Sequence, residues 1–431
     1  MPRRPKVTES RIIGVSDCVD HTRSIVLSFY RSIVLSDSRN SRRLSVYRFI
    51  WQSDSVSATV PNPFSPTFGA SPRHWAGRRI ILDDFTRALE SGPGSPTRSM
   101  VISGARGIGK TALLTELEDI AATRGWIVLR ASGRDNPVAD LTDTVIPGKI
   151  LELDPPSRRK VSGVSIAGLG SVSTSTSDPL QPVPTINTRL RELLALLEGT
   201  GVLITVDEIQ DADAEDITRL AVAYQDLVRD RMEVSLVVAG LPFGTDRLLN
   251  LPGTTFLRRA ERYDLGPLTD EDAGDVIRHT ADGSGIEFTP EAVETAVDIA
   301  EGYPYLVQLI GYLCWETAQR KERTVIEAAD VDRERSEAVQ SMGAQVHFIS
   351  LKEVPAGQRR YLSAMAELGD GPQPTADVAE ALGKTAGSTS DVRARLIERD
   401  LIQPAGRGKV EFTLPHLGEW LRGPGTVRRV Q

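Results

Sequence analysis

The 431-residue sequence has only two cysteines, Cys18 and Cys314, and only 5% aromatic residues. Two cysteines so far apart in sequence form neither a disulfide framework nor a zinc-binding motif, and they are compatible with a reducing cytosol. The sequence also has no apolar run near the roughly 18 residues that a membrane span needs. These absences exclude a disulfide-stapled peptide and an integral membrane protein, and we expect a cytoplasmic protein.

The composition is typical of a globular protein, with 40% hydrophobic and 25% charged residues. At about 150 residues per domain, the length predicts two or three domains. The net charge of −7 divides into +5 over residues 1–59, −14 over residues 60–354 and +2 over residues 355–431. The basic C-terminal end is only a weak indication of nucleic-acid binding, because phosphate neutralisation requires clustered cations.

The first segment differs from the rest of the chain. Residues 1–57 contain no alanine and one glycine but twelve serines, and RSIVLS occurs at Arg23–Ser28 and again at Arg31–Ser36. One interpretation is a transit peptide or a nucleic-acid-binding arm. The other is untranslated sequence read in frame, with Val60 as a candidate GTG start. We assign residues 1–59 no function and predict disorder or a poorly packed appendage.

The sequence GARGIGKT fits the phosphate-loop template of a glycine, four residues and Gly-Lys-Ser/Thr. A predicted strand, Ser99–Ser103, precedes it, and leucines at helical spacing follow it as far as Gly125. Glycines let backbone amides converge on phosphate oxygens, and a helix N-terminus adds the positive end of its dipole. The candidate nucleotide-binding residues are Gly104, Ala105, Arg106, Gly107, Ile108, Gly109, Lys110 and Thr111. Lys110 is predicted to reach the β- and γ-phosphates, and the Thr111 hydroxyl to bind Mg²⁺.

A second motif, GVLITVDEIQD, contains a continuous apolar run over Val202–Val206, which is typical of a strand buried on both faces. Asp207 and Glu208 follow at its carboxyl end. Ligands of open α/β sheets bind at that edge, so we expect both carboxylates at the phosphate pocket. Asp207 is predicted to hold Mg²⁺ through water, and Glu208 to orient and deprotonate the attacking water.

These two motifs, together with HWAGRRIILDDFTRALESG at residues 74–92, resemble the AAA+ ATPases, especially the bacterial branch related to replication initiators and signalling NTPases. The resemblance covers roughly residues 63–340. It implies that Gly77 and Arg78 precede a helix beside the adenine, with Pro63–Phe68 close by. It also implies a parallel-sheet α/β P-loop NTPase domain, a helical lid, and ATP and Mg²⁺ as cofactors.

The resemblance implies two further site positions. An arginine before the fifth strand, here Arg258 or Arg259, would reach the γ-phosphate of a neighbouring subunit in a homo-oligomer. The alternative is that these arginines, with Arg262, form a solvated helix face. At the sensor positions the chain departs from its relatives, because Ala239 stands where many have a polar residue and Tyr305 where many have arginine.

The segment between the two motifs, residues 155–186, is rich in Ser, Gly and Pro. The stretch VSGVSIAGLGS within it is a candidate strand pair, and the remainder is typical of a mobile insertion. An insertion at this edge of the sheet is either a linker-like segment or a loop that contacts a substrate or partner.

The C-terminal part has a different pattern. Three short helices are predicted at Gln358–Leu368, Thr375–Leu382 and Ser388–Arg399, which is the helix-turn-helix order. Alternating residues then predict a hairpin between Leu401–Gln403 and Val410–Leu414. The whole resembles a winged helix-turn-helix.

If this module binds double-stranded DNA, its contacts come from the start of the third helix and from the wing. The candidate residues are Lys384, Thr385, Ser388, Thr389, Arg393, Arg407 and Lys409. Acidic residues on the third helix and the loop after it, Asp391, Glu398 and Asp400, argue against DNA, and protein docking is the alternative use of such a module.

The predicted organisation is therefore a leader over residues 1–59, an AAA+ nucleotide-binding domain over 60–266, a helical lid over 267–345 and a winged helix-turn-helix over 346–431. The predicted function is an ATP hydrolase in which Mg-ATP controls a DNA- or partner-binding module. Two alternatives stay open, namely a nucleotide-gated signalling or scaffold protein and a DNA-bound regulator, each with little or no ATP turnover.

Overall fold

The computed structural model describes residues 60–67, 69, 71–155 and 183–423. The leader over residues 1–59 and most of the Ser- and Gly-rich insertion, including its candidate strand pair, lie outside these residues. Among the described helices, none is long and apolar enough to cross a membrane.

Five parallel strands form the central sheet. They are β1 Ser99–Gly104, β2 Ile127–Ser132, β3 Val202–Asp207, β4 Val234–Gly240 and β5 Glu261–Leu265, in the spatial order β2-β3-β4-β1-β5. Every residue of β4 is buried, and so are the first five of β3, because helices cover both faces of the sheet. All five strands end at one edge, where the phosphate loop and the Asp207-Glu208 pair lie together.

Within the part of the chain that the structure describes, seven helices flank this sheet. They are α1 Arg79–Glu90, α2 Lys110–Thr123, α3 Pro137–Asp140, α4 Ile146–Leu153, α5 Ile186–Leu194, α6 Ala214–Arg229 and α7 Pro242–Asn250. Alternate strand residues face opposite sides of a sheet. On β1, Ile102 joins the apolar cluster of α1 and α2, whereas Val101 joins the cluster of α5 and α6. The sheet therefore separates two cores.

A helical segment follows β5. It contains α8 Asp270–Ala281, α9 Pro290–Ala300, α10 Pro304–Arg320 and α11 Ala328–Met342, with a short parallel pair formed by β6 Glu287–Phe288 and β7 Val325–Ile326. The Thr269 side chain accepts a hydrogen bond from the Asp272 amide at 3.1 Å and so caps the N-terminus of α8. Cys314 is buried in this part of the core.

The C-terminal elements are α12 Phe348–Leu351, α13 Ala356–Glu367, β8 Gln373–Pro374, α14 Thr375–Ala381, α15 Ser390–Glu398, β9 Ile402–Pro404, β10 Lys409–Phe412 and α16 Leu417–Arg422. The three strands form an antiparallel sheet in the order β8-β10-β9, which includes the predicted hairpin. A π-helical turn, Gly343–His347, joins α11 to α12. The chain therefore remains helical from α11 through this turn into α12.

Polar and aromatic contacts hold α16 against the helical segment. Arg335 donates two hydrogen bonds to the Glu419 carboxylate, at 3.0 and 2.8 Å, and His416 Nε2 lies 2.7 Å from the Ile299 carbonyl oxygen. The indole of Trp420 packs so closely on Gly343 that a Cβ atom there would lie 2.1 Å from its Nε1. The C-terminal elements are therefore docked on the helical segment at the middle of α11, at the turn after it and at the end of α9.

His347 is completely buried at this junction, and its Nε2 lies 2.9 Å from the Pro415 carbonyl oxygen. Desolvation lowers its pKa to about 4, against an ordinary value of 6.5. Between these values the unfolded chain binds a proton that the folded chain does not, so folding stability falls as the pH drops below 6.5.

We therefore predict that lowering the pH from 7 to 5 destabilises this junction by roughly 2 kcal/mol. Hydrogen exchange of the amides of Gly343–Leu351 measures the effect. His347→Gln is expected to remove most of the pH dependence, whereas the exposed-site variant His279→Gln is expected to keep it. Equal pH dependence in His347→Gln and wild type would contradict this assignment.

Candidate nucleotide site

The phosphate loop joins the end of β1 to the start of α2. Gly107 and Gly109 have φ angles of 78° and 98°, a region that residues with side chains rarely adopt. A Cβ atom on Gly107 would also lie 2.9 Å from the ring of Tyr303. The Lys110 ammonium donates hydrogen bonds to the carbonyl oxygens of Gly104 and Ala105, both at 2.8 Å. The lysine is therefore folded back over its own loop at the first turn of α2.

The carboxyl end of β3 meets the first turn of α2. The Thr111 hydroxyl donates a hydrogen bond of 2.6 Å to Asp207 Oδ2, and Asp207 Oδ1 accepts one of 2.8 Å from the Glu208 amide. The structure thus brings together Lys110, Thr111, Asp207 and Glu208, as the two motifs predicted. Thr111 and Asp207 present two oxygen atoms at hydrogen-bond distance, which is compatible with the oxygen ligands that Mg²⁺ prefers.

Glu208 has a left-handed backbone with φ of 53°, and its carboxylate has partners on both sides. Arg134, two residues after β2, donates to Oε1 at 3.1 Å, and Gln210 donates to Oε2. Arg134 also donates to Asp211 at 3.1 Å. In this conformation each oxygen of the Glu208 carboxylate accepts a hydrogen bond from the protein.

Buried charge surrounds the loop. Desolvation lowers the pKa of Lys110, while the carboxylates of Glu208, Asp207 and Asp400 act in the opposite direction. Burial raises the pKa of Asp400 to about 6, although Lys110 and Arg106 oppose that shift. Asp400 belongs to the C-terminal elements, so a distant part of the chain contributes to the charge at the phosphate loop.

A cavity of about 420 Å³ extends from the phosphate loop. Its lining includes the charged side chains of Lys110, Arg134 and Glu208. It also includes apolar and aromatic residues, namely Trp75, Ala76, Leu268, Val276, Pro304 and Tyr305. A cavity lined by both charged and aromatic side chains matches a nucleotide in both size and chemistry. Three residues from the π-helical turn and α12 complete its wall, namely Gln345, Val346 and Ile349.

Arg78 lines this cavity, and Gly77 precedes it in the chain. Gly77 has a φ of 66°, and a Cβ atom there would lie 2.9 Å from the Asp272 carboxylate. Arg78 donates to the Gly266 carbonyl oxygen, and burial lowers its pKa while Asp272 opposes the shift. The segment expected nearby also reaches the cavity, through Ser65, Pro66 and Thr67.

Some predicted positions lie away from the cavity. Arg258 and Arg259 are exposed in a helical turn before β5, and Arg258 Nε donates to the Leu249 carbonyl oxygen at 2.9 Å. Neither lines the cavity of this single chain. Ala239 is buried within β4, whereas Tyr305 lies in the cavity wall.

The candidate nucleic-acid residues are mostly exposed. Exposed side chains are Lys384, Thr385, Ser388, Arg407 and Lys409, and Arg393 is half-buried. The prediction that Thr389 contacts DNA is wrong. Only 1% of this residue is exposed, and its hydroxyl donates to the Ala386 carbonyl oxygen at 3.1 Å. It supports the turn before α15 and is not available to a nucleic acid.

Several residues of the site were not identified from the sequence. Arg134 follows a strand that has no motif of its own, and only its position beside β3 in the sheet brings it to Glu208. The available signal in the sequence was a strand predicted at Ile127–Ser132 with an arginine soon after it, which could have identified Arg134 as a site residue. Gln345, Val346 and Ile349 carry no local signal, because they reach the cavity only through packing of the C-terminal elements.

The sheet order and the phosphate loop define the P-loop NTPase class. Residues 74–238 match the model of the AAA ATPase domain, which confirms an AAA ATPase domain in this part of the chain. Residues 344–421 match a domain of unknown function, DUF8462. A search of curated protein sequences finds no significant match.

Two of the solved structures that resemble this chain show the extent of the similarity. The ORC2 protein of Aeropyrum pernix is 16% identical with a TM-score of 0.54, and the match covers 83% of this chain and 96% of that chain. A Walker-type ATPase of Pyrococcus abyssi is 15% identical with a TM-score of 0.57, covering 83% and 99%. The parallel-sheet α/β P-loop NTPase fold is therefore confirmed, and the chain contains an AAA ATPase domain.

Gly133 offers a test of how Glu208 is positioned. A Cβ atom there would lie 2.2 Å from the Glu208 carbonyl oxygen, which is part of the backbone and cannot easily move. We predict that Gly133→Ala lowers the free energy of unfolding by about 1–3 kcal/mol. Gly148→Ala is the matched control, because no atom lies within 4 Å of its added Cβ in α4 and alanine favours helix. Chemical denaturation compares the two, and equal stability would contradict the close packing.

Proposed function

We propose that this protein is an ATPase that binds Mg-ATP at the phosphate loop and uses it to control the C-terminal elements. The observation that carries the proposal is the convergence of Lys110, Thr111, Asp207 and Glu208 beside a nucleotide-sized cavity, which all of them except Asp207 line. In support, the Aeropyrum pernix ORC2 structure is described as ADPNP and ADP complexes, and the Pyrococcus abyssi protein as a Walker-type ATPase.

The proposed roles follow from the positions of the side chains. Residues Gly104–Thr111 surround the phosphates with backbone amides, and Lys110 supplies positive charge once it leaves the loop carbonyls. Thr111 and Asp207 would hold Mg²⁺, which neutralises charge on the phosphate oxygens. Glu208 orients and deprotonates water after a hydrogen bond with this water replaces its hydrogen bond with Arg134 or Gln210. Gly77 and Arg78 shape the rim beside the base.

Two cationic side chains have a proposed role only between copies of the chain. Arg258 and Arg259 are exposed and lie outside the cavity of their own chain. We therefore propose that one of them reaches the nucleotide of a neighbouring copy in a homo-oligomer. The alternative is that both arginines lie on a solvated turn, where Arg258 donates a hydrogen bond to the Leu249 carbonyl oxygen. This alternative requires no neighbouring copy of the chain.

Glu208→Gln separates an ATPase from a nucleotide-gated protein with little turnover. The variant keeps the shape of the side chain but removes its ability to accept a proton. We expect single-turnover ATP cleavage to fall by at least about a hundredfold while ATP affinity changes little. Lys110→Ala is expected to lose ATP binding.

The nucleotide-gated alternative draws support from the apolar Ala239 and from the absence of arginine at Tyr305. It predicts that wild type and Glu208→Gln bind ATP equally well and that neither cleaves it. Retention of ATP binding by Lys110→Ala would contradict both the proposed ATPase and the nucleotide-gated alternative.

We further propose that the C-terminal elements form a winged helix-turn-helix. We also propose that residues 60–266, 267–345 and 346–431 are three separate domains. Three helices, α13 to α15, are followed by the β9–β10 hairpin, which is the order of that motif. Lys384, Thr385 and Ser388 are exposed before α15, and Arg407 and Lys409 are exposed on the hairpin. These exposed residues can contact phosphates of double-stranded DNA.

Replacing Arg407 and Lys409 by alanine tests the DNA proposal in the full-length chain. Each phosphate contact contributes about 0.9 to the slope of log affinity against log salt, so the double variant should reduce the slope by about 2. Lys321→Ala, an exposed cation outside these elements, is the control and should leave the slope unchanged. Fluorescence anisotropy with a mixed-sequence duplex measures the slope, and a flat response in wild type would favour protein docking.

A further inference from the structure

Asp400 extends from the C-terminal elements towards the phosphate loop. It follows α15 with a left-handed φ of 56°, and its amide donates to the Ile397 carbonyl oxygen at 2.9 Å. One carboxylate oxygen, Oδ2, is buried and has no hydrogen-bond partner among the described residues. Its carboxylate interacts electrostatically with Lys110 and Arg106, more than 280 residues earlier in the chain. A buried, unpaired carboxylate oxygen is costly unless nearby positive charge compensates it.

Tyr303 closes the same small cluster. Its ring packs on Gly107, its hydroxyl is buried without a hydrogen-bond partner, and it experiences the charges of both Asp400 and Arg106. The groups that face Asp400 are therefore Lys110, Arg106 and Tyr303, and the two cations come from the phosphate loop. The cluster contains the cations that a bound phosphate would also use.

We propose that Asp400 is a phosphate sensor, a carboxylate through which the C-terminal elements compete with nucleotide phosphates for Lys110 and Arg106. The inference rests on the proposed binding of ATP at this loop. Without nucleotide, Asp400 balances the loop cations and holds the α15–β9 corner in place. With nucleotide, phosphate oxygens take over this role, and the two sets of negative charge repel each other.

The competition couples two events that lie in different parts of the chain. Nucleotide binding weakens the contact of the α15–β9 corner, and by linkage the docked corner weakens nucleotide binding by the same factor. Separate contacts hold α16, because Arg335 and His416 attach it to the helical segment. Phosphate binding therefore displaces the corner without releasing the C-terminal elements as a whole.

Asp400→Asn is the test substitution. Asparagine adopts the left-handed conformation at least as readily as aspartate, so the variant removes the charge without straining the backbone. Glu398→Gln is the matched control, since it removes one negative charge from an exposed position two residues away. Any difference between the variants reports the position of the charge and not the net charge of the chain. Equal melting temperatures establish that both variants fold.

The first measurement is the affinity of the full-length chain for Mg-ATP. Removing the like charge is expected to tighten Mg-ATP binding by Asp400→Asn on the order of tenfold, about 1.4 kcal/mol, with Glu398→Gln equal to wild type. If Asp400→Asn bound Mg-ATP and wild type did not, this result would also support the proposed role of Asp400 as a phosphate sensor. Equal affinity of wild type and Asp400→Asn would overturn it while leaving ATP binding intact. If neither bound ATP, the proposed function would fail and the sensor with it.

The second measurement is amide hydrogen exchange of Leu396–Pro404. In wild type, Mg-ATP should speed exchange of the Asp400 and Leu401 amides, whose acceptors are the carbonyl oxygens of Ile397 and Leu396. In Asp400→Asn the nucleotide should change exchange much less. An equal response of the two proteins would contradict a charge-driven displacement of the corner.

Discussion

The 2.6 Å hydrogen bond from Thr111 to Asp207 joins the two motifs on which the site depends. It forms because β1 and β3 run parallel and end at the same edge of the sheet, with β4 between them. Neither motif alone provides both a phosphate cradle and a carboxylate. Burial of β3 and β4 on both faces fixes this edge, so the packing of the core and the geometry of the site are parts of one constraint.

The cavity at this edge is built by three parts of the chain. The sheet supplies the phosphate loop, the helical segment supplies Tyr305 and Val276, and the turn before α12 supplies Gln345 and Val346. Because α11 continues through that turn into α12, a ligand that moves the turn also acts on the C-terminal elements. Asp400 adds a second, electrostatic connection between the same parts. The proposed control of the C-terminal elements by nucleotide therefore has two physical routes.

The local features of the site were predictable because they lie within short stretches of sequence. The phosphate loop and the strand ending in Asp207 have their order and spacing written in consecutive residues. Arg134, Gln345 and Asp400 were not predicted as parts of the site, because only the sheet order and the docking of α16 bring them to it. Thr389 failed as a nucleic-acid contact since helical position alone does not reveal burial.

The central claim is that the cavity beside Lys110 binds a nucleotide. Equilibrium dialysis of the full-length chain against labelled ATP, with and without Mg²⁺, tests it most directly. The account predicts one ATP per chain, bound more tightly with Mg²⁺ and displaced by ADP. Absence of bound nucleotide at saturating ATP would contradict it.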